Sequence, residues 1–114
     1  MKKDRDARDL AVDLIDRSTC NVQVASVIVD AYGKIMSWGW NNSGPNGYGI
    51  CAERHAISRS NHHRLAGAVC LVAGRWKATG KVVNAKPCAK CQRSLKANKM
   101  LCMYRNERKE WVVL

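Results

Sequence analysis

Two cysteine-bearing segments, Gly49-Ile50-Cys51-Ala52-Glu53-Arg54 and Pro87-Cys88-Ala89-Lys90-Cys91, each stand where a loop or strand gives way to a helical pattern. A helix start presents free N–H groups and the positive end of the helix dipole, which favour thiolate over thiol. Cys51 is offered by one such start, Cys88 and Cys91 by the other, the latter pair one turn apart on the same face. Three protein ligands with an open fourth position describe a catalytic zinc site, whereas four describe a structural one. Two residues from Cys51 lies Glu53, a carboxylate close enough to reach a metal-bound water without being a ligand and to take and return its proton.

The chain around these segments has 114 residues, enough to bury one modest core, and is read as a single domain over 1–114. Residues 4–17 place Ala7, Leu10, Ala11, Leu14 and Ile15 at helical spacing, with aspartates in the first turn. Val22 to Val29 is rich in β-branched residues, and Lys34 to Trp40 resumes an extended pattern after Asp30-Ala31-Tyr32-Gly33, so a hairpin follows. Asn41 to Gly49 is a Gly/Asn loop, and helix returns over 52–60. Ala68 to Ala73 fits a buried strand. The basic segment 74–86 reads as loop with a weak extended middle at Val82-Val83, and helix follows over 88–98. Strands at 100–104 and 110–113, joined by a short loop, favour an antiparallel pair, because a parallel crossover needs a dozen or more residues. The order α-β-β-α-β-α-β-β predicts an α/β fold of three layers, α-β-α, around a mixed five-stranded sheet.

Lys and Arg number 20 against nine Asp and Glu, a formal charge of +11. Residues 1–17 are balanced, whereas Arg54 to Arg105 contain twelve Lys/Arg and no acid. Such a field attracts nucleotides or single-stranded nucleic acid. No stretch approaches the ~18–20 apolar residues of a membrane span, and the charged N-terminus lacks the apolar core of a secretory signal. A cytoplasmic protein with no membrane partner is expected, and six cysteines there point to metal chemistry in preference to disulfides.

Taken together and in order, the Cys51-Ala52-Glu53-Arg54 and Pro87-Cys88-x-x-Cys91 segments resemble the two halves of the active site of cytidine deaminases, zinc-dependent members of the cytidine/deoxycytidylate deaminase superfamily. Val22 to Ile35 resembles that family's first hairpin, and the closing antiparallel strands resemble the cytidine branch. Gly39-Trp40-Asn41 is more similar to the tRNA-adenosine and deoxycytidylate branches. The resemblance implies one zinc per chain on Cys51, Cys88 and Cys91. It implies an activated water attacking C4 of a cytosine ring, with Glu53 as proton shuttle, to convert cytidine or deoxycytidine to the uridine. Arg54 would offset the charge of three thiolates. Asn41, Asn42, Tyr48 and Ala52 would touch the substrate, Tyr48 by stacking on the base. A homodimer or homotetramer is expected, since so short a chain has little room to wall off its own site.

Other readings stand beside this one: a zinc ribbon completed by Cys70, Cys102 or a histidine; a deaminase acting on nucleotides or single-stranded nucleic acid; and a non-catalytic zinc module that binds nucleic acid. Cys20, Cys70 and Cys102 lie in or beside apolar runs and are expected to pack as inert thiols. His55, His62 and His63 are expected on the surface or behind the ligands. Trp38 and Trp40 alternate on one strand and so face the same side.

Overall fold

The computed structural model describes residues 6–43 and 49–114. Helix α1 (Ala7–Asp13) begins at Asp6, whose carboxylate accepts the Arg8 N–H, and tightens into a 3₁₀ turn over Leu14–Arg17. Strands β1 (Val22–Val29) and β2 (Ile35–Trp40) form the expected hairpin, followed by α2 (Ala52–Ser58), β3 (Val69–Trp76), α3 (Ala89–Ala97), β4 (Leu101–Arg105) and β5 (Trp111–Val113). The sheet runs β2-β1-β3-β4-β5. β3 and β4 are parallel and the other neighbours antiparallel, including the closing pair. Among the described residues no helix is long and apolar enough to cross a membrane.

Period-two alternation along β1 creates the layers. Ala25 and Val27 face Ala11, Leu14 and Ile15 from the α1 segment, with Ala73 of β3 beside them. Ile28 faces the opposite side, with Cys70 and Val72 of β3, Ala56 of α2 and Leu95 of α3. The helices therefore cover both faces, as the element order predicts. Strand β3 corrects the sequence reading, which ends it at Ala73: pairing with β1 continues through Val24↔Gly74, Gln23↔Arg75 and Val22↔Trp76. A full-length partner supplies the ladder that the local sequence does not advertise. The segment beyond turns back, with Arg75 bridging Val82.

The hairpin turn is held by Asp30, whose buried carboxylate accepts the N–H groups of Tyr32 (2.9 Å) and Lys34 (3.0 Å) and pairs with Arg64. The Lys34 N–H above all, then the Tyr32 N–H and the Arg64 guanidinium, keep this carboxyl below its ordinary range.

Strand β2 lies at the sheet edge, where unpaired N–H groups invite association with other chains. Here the Trp40 N–H donates to His55 Nδ1 at 3.1 Å, and the Trp40 and His55 rings meet edge to face at 4.9 Å. The Arg59 guanidinium lies 5.5 Å from the Trp38 ring and 5.7 Å from the Trp40 ring, and Arg17 lies 5.7 Å from Trp40. The two tryptophans share a side as expected, but as a clasp over the edge, with Trp38 still 38% exposed.

Helix α2 approaches β2 closely. Ser37 Oγ donates to the Ala56 carbonyl at 2.8 Å, and a Cβ at Gly39 would stand 2.5 Å from the Ala56 nitrogen. Because the obstacle is helix backbone, it cannot swing aside. Gly39→Ala is expected to cost about 1–3 kcal/mol in denaturant unfolding, by forcing α2 away from the sheet; unchanged stability would mean that the approach is looser than this.

Candidate active site

Cys51 and Cys88 occupy the cap positions of α2 and α3, both in extended backbone conformation and neither bonding the helix through its side chain. Both sulfurs are thereby left for other work. The Cys51 carbonyl accepts the His55 N–H (3.0 Å) and the Cys88 carbonyl the Gln92 N–H (2.9 Å), so the main chains are fixed. Cys91 follows one turn into α3. The bridge between Asn42 and Ile50 fixes the entry to α2, and the Gln92 amide donating to the Pro87 carbonyl at 2.8 Å fixes the entry to α3.

The three sulfurs lie within 4.8 Å of one another. A tetrahedral zinc with Zn–S bonds of about 2.3 Å has edges of roughly 3.8 Å, so the cluster fits that ion with small adjustments, and thiolates are the ligands it prefers. Among the described residues no other His, Cys, Asp or Glu joins this group of three thiols.

Burial pushes the Cys51 and Cys91 thiols up, with the nearby Glu53 charge adding to both. Cys88, exposed at the helix start, is drawn down chiefly by the Cys91 N–H and also by the Lys90 N–H. The helix-start argument thus holds for Cys88 alone. For the two deeper thiols desolvation wins.

Glu53, in the first turn of α2, is 5% exposed, and burial pushes its carboxyl above its usual range. It lines the same cleft as the sulfurs. That cleft, of about 360 Å³, lies at the end of β2 and the start of β1 and is lined by Cys20, Val22, Val24, Asn41, Asn42, Ile50 and Ala52 together with Val83 to Pro87.

Of the residues singled out from sequence, Cys51, Ala52, Glu53, Asn41, Asn42, Cys88 and Cys91 meet around this cleft. Arg54 does not: its side chain is exposed, and it is not among the lining residues. Tyr48 lies outside the described residues. Asn41 is anchored by its carboxamide, which accepts from Ser18 Oγ (2.6 Å) and the Val24 N–H (2.9 Å) and donates to the Val22 carbonyl (2.8 Å). It stitches the ends of β1 and β2 together.

Sequence reasoning missed Cys20, which is half-buried in the cleft wall instead of packed in the core, and Lys86, among the described residues the single cationic side chain lining the cleft. Lys86 stands immediately before Pro87, and that adjacency was the available signal. Cys70 and Cys102 are buried as expected.

The model of the "cytidine and deoxycytidylate deaminase zinc-binding region" family matches residues 1–103. The chain belongs to this family. A zinc-dependent deaminase is therefore the coarse identity of the molecule, and the Cys51/Cys88/Cys91 cluster accords with the family's zinc requirement. Among solved structures, cytidine deaminase from Burkholderia pseudomallei is similar, with a TM-score of 0.69 at 18% identity, covering 95% of this chain and 88% of that one. The dCMP deaminase of cyanophage S-TIM5 also gives 0.69, at 19% identity, covering 88% of this chain and 79% of that one. Cytidine deaminase from Mycobacterium leprae gives 0.60 at 18% identity, covering 94% and 89%. At such identities the likeness fixes the fold and not the substrate. No curated protein matches this deaminase-family chain by sequence.

Because burial holds Cys51 and Cys91 in their protonated forms, zinc binding to the chelated protein must expel those protons. The apparent zinc affinity is expected to fall as pH falls, about tenfold per pH unit for each proton released. Competition with a chromophoric chelator below and above neutrality measures this, and a flat profile would show that the thiols are ionised before the metal arrives.

Proposed function

We propose that the chain hydrolyses the exocyclic amine of cytosine in cytidine or deoxycytidine, giving the uridine and ammonia. The observation that carries the reading is a buried carboxyl, Glu53, lining the same cleft as a three-thiol cluster with room beside it for a small ligand. Cys51, Cys88 and Cys91 would hold zinc, which when bound supplies a water acidic enough to act as nucleophile near neutral pH. Glu53 would take one proton of the water and deliver it to N3 of the ring as C4 is attacked, then take the second proton from the new C4 hydroxyl and pass it to the amine, which leaves as ammonia as the C4 carbonyl forms. A carboxyl raised by burial suits both duties, since its affinity for the proton lies nearer the working pH.

Ala52, Asn42 and the residues from Val83 to Ala85 line the space where the base would sit, and Asn41 acts by holding the wall on which Asn42 stands. Tyr48 is proposed, as from sequence, to stack on the base. Arg54, in the first turn of α2, is proposed to offset the negative charge of three thiolates. The six free cysteines suit a reducing cytoplasm.

Lys86 favours a second reading, in which the substrate carries a phosphate. It is exposed at the cleft, and among the described residues it is the only cation lining it and makes no ion pair.

Ammonia release from cytidine, deoxycytidine and their monophosphates by the zinc-loaded protein is the deciding assay. Glu53→Ala is expected to retain about one zinc per chain and lose turnover by several orders of magnitude. Retention of both zinc and activity would end the proton-shuttle assignment, and turnover confined to monophosphates that fails in Lys86→Ala would replace the first substrate reading by the second. A homodimer or homotetramer is proposed to complete the cleft, and sedimentation at micromolar concentration is expected to give a mass at least twice that of the 12.7 kDa chain.

A further inference from the structure

The outer edge of β2 carries chemistry that the deamination reading does not use. Trp38 and Trp40 stand two residues apart on an edge strand, one indole more than a third exposed. Arg59 lies over both rings and Arg17 over the second. Both arginines are exposed, and among the described residues neither meets a carboxylate. A guanidinium laid on an indole is partly desolvated and oriented, yet its in-plane N–H donors remain free for the paired oxygens of a phosphate. An exposed indole offers a flat face on which any base stacks. The two residues that follow the strand, Asn41 and Asn42, line the cleft, so edge and cleft lie along one piece of chain.

We propose that this edge is a docking surface for a single-stranded polynucleotide, with bases stacked on Trp38 and phosphates held by Arg59 and Arg17. Charge complementarity argues for this occupant over a second copy of the chain: the molecule carries a formal +11, and two like-charged edges bearing unpaired arginines would repel. Stacking and phosphate contact together bind without reading sequence. Their combined mark is an affinity that depends both on salt and on an uncharged aromatic side chain.

The test uses the zinc-loaded full chain and fluorescently labelled oligothymidylate and oligouridylate, which contain no cytosine and so report binding independently of deamination. Anisotropy is expected to show binding that weakens steeply with salt, accompanied by quenching of tryptophan emission. Trp38→Ala and Arg59→Gln should each weaken it about tenfold, whereas Trp38→Tyr, which keeps a stacking face, should retain most of it. Zinc content and nucleoside turnover serve as controls that the variants fold. Should Trp38→Ala fail to fold, Arg59→Gln and the quenching decide.

Absence of binding at low salt would overturn the proposal. So would binding that survives both Trp38→Ala and Arg59→Gln, since charge alone would then account for it. Self-association abolished by Trp38→Ala, without oligonucleotide binding, would assign the edge to a second copy of the chain instead.

Discussion

The ladder between β1 and β3 is the constraint on which everything else rests. Eight consecutive residue pairs, from Val22↔Trp76 to Val29↔Val69, fix one rigid ribbon at the centre of the sheet. α1 packs on one face and α2 and α3 on the other, so the two helix starts that carry the thiols are positioned by the same strands. Loop residues alone could not hold three sulfurs in so small a volume against the entropy of the chain. Burial beneath the helices also sets the electrostatics: it raises the Glu53 carboxyl and the Cys51 and Cys91 thiols together.

Much of the fold was legible because its signals are local. The β-branched run of β1, the turn at Asp30–Gly33 and the short loop before β5 each declare themselves within a few residues, and the two thiol segments lie at helix starts that the pattern marks. What stayed hidden depended on distant partners. β3 continues to Trp76 only because β1 is long enough to pair with it. Gly39 reads as part of a strand, and nothing nearby reveals that α2 lies against it.

The site divides the same way. Cys51, Glu53, Cys88 and Cys91 could be read from spacing and chemistry. Lys86 sits in a segment that reads as basic loop, with only its place before Pro87 to mark it, and Cys20 in a neighbourhood that reads as core. Asn41 lines the cleft, and its carboxamide also ties the strand ends through Ser18, Val22 and Val24, partners too distant in the sequence to be read from it.

That stitch makes α1 more than a cover for the far face of the sheet. Ser18 is buried at the end of the α1 segment, donates to Asn41, and through the same oxygen accepts the Cys20 N–H. The N-terminal helix is thereby a buttress: a shift in how it sits on β1 is transmitted through one hydroxyl to the wall that Asn42 and Cys20 line. The width of the cleft is set in part from the side of the molecule that never touches it.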